Sequence, residues 1–106
     1  MVFDGEEIPF LDGYFNLVLC WTVLQHIPPT EIGKICSEIA RVLAKDGKLV
    51  LYENVSVWHP NKVHIWFRTP GRYSDLFDNK FEVLDYEIIK GADDNDERHF
   101  LTVLRK

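Results

Sequence analysis

The sequence predicts an α/β fold, with two parallel strands joined by a crossover helix and then an antiparallel hairpin. Three observations carry this reading. Residues 15–21 read FNLVLCW, a mostly apolar run without period-2 alternation, as expected of a strand covered on both faces. Ile32, Ile35, Cys36, Ile39, Ala40, Val42 and Leu43 recur at three- and four-residue spacing and form one apolar stripe, with Glu31, Lys34, Glu38 and Arg41 on the opposite face. Residues 81–89 and 99–104 are both rich in β-formers and flank a polar connection, the pattern of a hairpin.

The elements follow in order. Residues 1–14 carry closely spaced turn-formers, Asp4-Gly5, Pro9 and Asp12-Gly13, and read as an irregular approach segment. The strand at 15–21 is expected to be central in its sheet. Pro28-Pro29-Thr30 then breaks the chain. Thr30 is placed to accept a hydrogen bond from a free first-turn N–H, and Glu31 suits the positive end of a helix dipole. Asp46-Gly47 supplies the stop, and residues 48–53 (KLVLYE) read as a second strand, parallel to the first across a right-handed crossover. Residues 54–69 are aromatic and irregular, either a short helix or a lid-like loop. Thr69-Pro70-Gly71 resembles a helix start with proline at the first helical position, with Tyr73, Leu76 and Phe77 on one side and an end near Asp78-Asn79. The acidic cluster Asp93, Asp94, Asp96 and Glu97 lacks EF-hand spacing and reads as a solvated turn, so no metal site is assigned.

Composition sets the remaining bounds. The 106 residues fit one domain spanning 1–106, with 46% hydrophobic and 27% charged residues, near the averages of soluble globular proteins. A net charge of −5 with scattered basic residues argues against nucleic acid as a partner. No stretch approaches the ~20 apolar residues that span a bilayer, and the N-terminus lacks a signal-peptide pattern. Cys20 and Cys36 lie in apolar stretches and read as buried free thiols, which points to a cytoplasmic location.

The words along residues 8–53, IPFLDGYFNLVLCWTVLQHIPPTEIGKICSEIARVLAKDGKLVLYE, resemble a stretch of the small-molecule class I methyltransferases that use S-adenosylmethionine (SAM). That stretch is often written LPFxDxxFDxVxxxxxLHHI, followed by a helix and RxLKPGGxLxxxE. The resemblance implies a partial Rossmann-like methyltransferase sheet, the C-terminal half of the fold, with the cofactor across the carboxyl ends of the parallel strands. By resemblance Asp4 and Gly5 meet the adenine ring, Asp4 accepting from the exocyclic amine. Cys20 and Trp21 face the methionine portion, and Thr22, Gln25 and His26 line the acceptor pocket. His59 and His64, in the aromatic segment with Trp58, Trp66 and Phe67, are further pocket candidates.

The glycines stand at 5, 13, 33, 47, 71 and 91, so there is no GxG pair to let backbone approach the cofactor, and the acidic residue for its ribose is absent with it. The chain alone is therefore expected to bind SAM weakly or not at all. Methyl transfer needs an acceptor held in line with the methyl group and, for many acceptors, a base. The weak candidates for that base are His26 and Glu53, with His59, His64 and Tyr52 behind them. Loop orientation is the plainer reading of His26, and loop bracing an equal one for Glu53. Two functions follow: a SAM-dependent methyltransferase of small molecules present as a truncated chain, or a noncatalytic half-domain with a structural or regulatory role. In either case the unpaired edge of the 15–21 strand is expected to form a homodimer or higher even oligomer.

Overall fold

The computed structural model describes residues 7–55, 65–66, 68–77, 81–90 and 98–106. In chain order these form strand β1 (Phe15–Trp21), a 3-10 turn (Leu24–His26), helix α1 (Ile32–Val42), strand β2 (Leu43–Asn54), helix α2 (Pro70–Leu76) and strands β3 (Glu82–Lys90) and β4 (Arg98–Arg105). The four strands make one mixed sheet in the order β1-β2-β4-β3. β1 and β2 are parallel, with Leu17 opposite Lys48 and Trp21 opposite Tyr52. β4 runs antiparallel to both β2 and β3.

Both helices cover one face of this sheet. Cys20 of β1, Leu49 and Leu51 of β2, and Phe100 and Leu104 of β4 join Ile32, Ile35, Cys36, Ile39 and Val42 of α1, with Tyr73 and Phe77 from α2 and its end, in a single buried cluster. Every member of the predicted helical stripe is buried. Burying a branched apolar side chain contributes about 1.5–3 kcal/mol, so this layer is the principal source of cohesion.

The opposite face is different. Leu17, Leu19 and Trp21 are 54%, 62% and 58% exposed, so β1 is covered on one face by the described residues and not on both as its composition suggests. Among the described strands β1 lies at the sheet's edge, paired only with β2, so its outer edge is unpaired as expected. Its apolar outward positions are unmatched by any described layer, which is why the strand lacks the alternation that one-sided burial normally leaves.

Three local starts and stops also differ from expectation. Thr30 does not cap α1: the N-cap is Glu31, which makes no side-chain cap bond. The Pro28 carbonyl instead accepts from the N–H groups of Glu31 (3.0 Å) and Ile32 (3.1 Å), and a proline carbonyl is as good an acceptor as any other. α1 ends at Val42, before Asp46-Gly47, because β2 has already begun at Leu43, which pairs with Phe15. Asp46-Gly47 forms a bulge within β2, Asp46 taking the left-handed φ of 66°. The Lys106 ammonium caps α1 in its place, donating to the carbonyls of Ala40 (2.6 Å) and Leu43 (2.7 Å) at the helix's negative end. α2 begins as expected, with the Thr69 hydroxyl accepting from Arg72 N–H at 3.1 Å and Pro70 at the first helical position, but it ends at Leu76.

The bulge is tight at Gly47, where a Cβ would lie 2.8 Å from the Ala44 carbonyl oxygen and 3.0 Å from Leu43. Since backbone cannot yield cheaply, Gly47→Ala should destabilise the fold by about 1–3 kcal/mol, the usual cost of forcing an extra methyl into a packed site. Chemical denaturation of the two proteins measures it, and an unchanged midpoint would show that the bulge relaxes freely.

Candidate functional site

The carboxyl ends of β1 and β2 lie side by side, and the chain leaves β1 there through a bend of unusual conformation. Thr22 has φ 55°, a left-handed value that costs a β-branched residue of order 1–3 kcal/mol and persists only where neighbours enforce it. Its N–H donates to the Tyr52 carbonyl at 2.6 Å and its hydroxyl to the Trp21 carbonyl at 2.7 Å. The strand pairing thus runs one residue past β1 and turns the chain outward.

Glu53 then seizes the next turn. Its side chain is fully buried at the end of β2, where one carboxyl oxygen accepts from the N–H groups of Val23 (3.2 Å) and Leu24 (3.0 Å) and the other from Gln25 (3.2 Å). Burial pushes this carboxyl above its usual range, with the three N–H donors opposing that shift. Asn54 N–H donates to the Gln25 side-chain oxygen at 2.7 Å. From the other direction Arg68, 9% exposed, donates to the carbonyls of Leu24 (2.9 Å) and Ile27 (2.5 Å), and Trp66 N–H donates to Gln25 O at 2.8 Å. Three N–H groups and three carbonyls of the 23–27 turn are therefore held by β2 or by the segment before α2.

This geometry sorts the residues singled out from sequence. Glu53 spends both oxygens on backbone N–H groups and so acts as the brace of the turn. Gln25 is buried and also braces. Cys20 points into the core, where burial pushes its thiol up to about 12, as it does that of Cys36; both are free thiols held neutral. Trp21, Thr22 and His26 reach the surface at the strand ends. The Trp21 ring stacks on Tyr52 at 4.1 Å and 16°, and Tyr52 stacks on His99 at 4.7 Å and 2°, a ladder of three rings across β1, β2 and β4. The closest His26 ring nitrogen to Gln25 lies 3.5 Å from the amide nitrogen. Asp4, Gly5, His59 and His64 lie outside the described residues, as do Trp58 and Phe67. Among the described residues no three His, Cys, Asp or Glu side chains gather as metal ligands, and no helix is long and apolar enough to cross a membrane.

Two positioning residues escaped the sequence reading. Arg68 carries no local signal, since its partners are carbonyls more than forty positions away. Arg41 stood in the predicted motif, but its task shows only in three dimensions. It donates to the carbonyls of Ile8 (2.8 Å) and Phe10 (2.9 Å), to Asp12 (2.8 Å) and to Glu38 (2.7 Å), while Glu38 accepts from Ile8 N–H at 3.1 Å. The approach segment is thereby strapped along α1. The Arg41 bond holds the Glu38 carboxyl below its usual range.

Comparison with known proteins places this arrangement. A family model described as a methyltransferase domain matches residues 1–51, which run through β1, the braced turn, α1 and most of β2. A ubiquinone/menaquinone biosynthesis C-methyltransferase, UbiE, of Paraburkholderia xenovorans is 37% identical over 59 residues, covering 56% of this chain and 24% of that protein. The chain thus spans about a quarter of the length of the curated relative it matches. Among solved structures, the [4+2]-cyclase SpnF superposes with a TM-score of 0.80 at 17% identity, covering all of this chain and 54% of that one. A SAM-dependent methyltransferase from Methanosarcina mazei gives 0.77 at 18% identity, covering 100% and 66%. These two likenesses establish the fold. That one of them is a cyclase shows that the fold alone does not dictate the reaction.

Glu53→Gln replaces one accepting oxygen with a donor aimed at a backbone N–H, and should cost about 1–3 kcal/mol. Because the folded pKa of Glu53 is raised, its contribution is fullest below the usual carboxylate range and declines as pH rises through the raised value. Denaturation midpoints measured from pH 4 upward should therefore slope less in the Gln variant, and parallel profiles would contradict this assignment of the charge.

Proposed function

We propose, from the chain's membership of the class I SAM-dependent methyltransferases, that it supplies the acceptor-side half of a site transferring methyl groups from SAM to a small-molecule acceptor. The observation that carries the reading is the outward, clamped turn at residues 22–27, at the carboxyl ends of two parallel strands. Crevices of this kind are where open α/β sheets bind their ligands. A strained, many-bonded bend is also what positional catalysis requires, since the acceptor must meet the methyl group in line.

SAM brings an electrophilic methyl on a sulfonium; the chain's part is to hold and orient. The backbone at Cys20 and Trp21 presents the strand end to the methionine portion, Thr22 lines the acceptor side, and His26, exposed beside them, is assigned to take a proton from an acceptor. Asp4 and Gly5, ahead of the segment that Arg41 straps to α1, are assigned to the adenine. The described residues fit one side of the cofactor, and no GxG occurs in the sequence to grip the other. The other side falls to an additional segment or chain. A reducing compartment, the cytoplasm, suits the two buried free thiols.

A second reading rests on the uncovered edge and face of β1. A noncatalytic half-domain that associates with a copy of itself, as a structural or regulatory module, would also cover Leu17, Leu19 and Trp21. The two readings separate on whether an in-frame segment with GxG precedes this one in its gene.

Two measurements follow. Calorimetric titration of the 106-residue chain with SAM should show weak or undetectable binding, restored when a glycine-rich half is supplied. In that restored protein Asp4→Ala should weaken binding by about 1–3 kcal/mol; tight binding by the chain alone, or an indifferent Asp4, would refute the assignment. Light scattering should find an even oligomer. Leu19 lies on the bare face and Val18 packs against the core, so Leu19→Lys should yield soluble monomer and Val18→Lys should unfold the protein. A monomeric parent would end the association reading.

A further inference from the structure

Beside the braced turn, and lined by none of the residues assigned to methyl transfer, lies a cavity of about 390 Å³. Its walls are Pro29, Ile32, Trp66, Arg68, Thr69 and Arg72. We infer that it is a binding site for an aromatic oxyanion, a flat apolar body ending in a carboxylate or phosphate.

The electrostatics come first. Two arginines, Arg68 and Arg72, line one cavity, and among the described residues neither pairs with a carboxylate. Arg68 is nearly buried, and its two terminal nitrogens donate to the neutral carbonyls of Leu24 and Ile27. Carbonyl acceptors orient a guanidinium without neutralising it, and the fork retains further N–H groups. Glu53 grips the same turn but directs both oxygens to backbone N–H groups. Arg72 is exposed, and its guanidinium makes no bond to a described residue. Two uncompensated positive charges on the walls of one concavity draw in an anion, and planar forks favour carboxylate or phosphate, which they meet bidentately. The chain as a whole carries −5, so this is a local positive site on an acidic protein and not part of a general basic surface.

Shape and donors narrow the class. Trp66, 36% exposed, is one wall, and its backbone N–H is anchored to Gln25 O at 2.8 Å; Pro29 and Ile32 form another. An aromatic wall against aliphatic ones suits a flat ring. The Thr69 hydroxyl already accepts from Arg72 N–H, which leaves its own hydrogen to donate into the site. The charged and hydroxyl groups of the lining thus all have hydrogens to give. The volume lies within the usual range for small-molecule sites, about 300–1,000 Å³, and holds a single ring with its acidic group.

The inference is independent of the methyl-transfer reading, and the test uses the full chain. Benzoate, phenyl phosphate and benzyl alcohol are titrated against ¹⁵N-labelled protein, following the Trp66 indole and the Thr69 and Arg72 amides. Benzoate or phenyl phosphate should shift these resonances at least about tenfold more tightly than the uncharged alcohol, and whichever of the two binds better identifies the acidic group as carboxylate or phosphate. Arg72→Gln should weaken the better probe about tenfold at an unchanged thermal midpoint, and Arg72→Lys should fall between, keeping the charge and losing the fork. Equal binding of benzyl alcohol, undiminished binding by Arg72→Gln, or shifts confined to other residues would overturn the assignment. Arg68 is left intact because its removal would free the turn it braces.

Discussion

The structure depends on how one buried carboxyl is shared among three backbone N–H groups. Glu53 sits at the end of β2 with no exposed surface, and its oxygens reach Val23, Leu24 and Gln25. Hydrogen bonds to a charged group contribute about 1.5–3 kcal/mol each, and removing a carboxylate from water costs several. These terms nearly cancel, with desolvation the larger, as the raised pKa records. The group thus adds little net stability when whole, yet its loss strands three donors. Its contribution is geometric: one side chain decides where the chain goes after β1.

Once the turn is held, other features follow from it. Thr22 can occupy its left-handed conformation because the residues on both sides are fixed, by Tyr52 behind and Glu53 ahead. Arg68 can bury a guanidinium because the turn presents carbonyls in its direction. The cavity beside Trp66 is lined by Arg68, whose head is turned in to the braced turn, and by the exposed Arg72. The strap from Arg41 to the approach segment works on the same scheme at the far end of α1, although there the groups are partly exposed, 28% for the Arg41 side chain and 14% for Glu38, and water weakens each bond. Two polar clamps, one at each end of α1, set where the loops around the sheet lie.

Much of the fold was legible because periodicity and turn chemistry are local. The stripe on α1, the parallel pairing of β1 with β2, the Thr69-Pro70 start of α2 and the terminal hairpin all emerge from neighbouring residues. What escaped reading was non-local. Leu43 extends β2 backward because Phe15 pairs with it, and a Gly turn that looked like a helix stop is a bulge tied to Lys106. Thr30 loses its cap role to the Pro28 carbonyl, a group with no distinguishing side chain. At the site, the bracing role weighed for Glu53 from sequence is the one its bonds show, whereas Gln25, expected in a pocket, is turned inward to bond Asn54 N–H, and Arg68 was invisible because a carbonyl partner leaves no sequence pattern.

The two edges of the sheet are built on opposite principles. β3 carries Glu82, Asp85 and Glu87 and is broken by a register shift between Val83 and Asp85, whose carbonyl is taken up by the Thr102 hydroxyl at 2.8 Å. Charge and a bulge are the two common means of stopping a sheet from growing. β1 has neither along its outer edge: its seven residues contain no charge and no proline, and its ladder with β2, after the shift that the β2 bulge makes between Phe15 and Leu17, runs in regular register from Leu17 to Trp21. Its outward face adds Leu17, Leu19 and Trp21, and leaving each of these wet forgoes about 1.5–3 kcal/mol. The ring stack of Trp21, Tyr52 and His99 returns only about 0.5–1.5 kcal/mol per pair. Among the described residues the sequence therefore blunts the sheet edge at β3 and leaves the edge at β1 suited to accept a pairing strand together with an apolar layer.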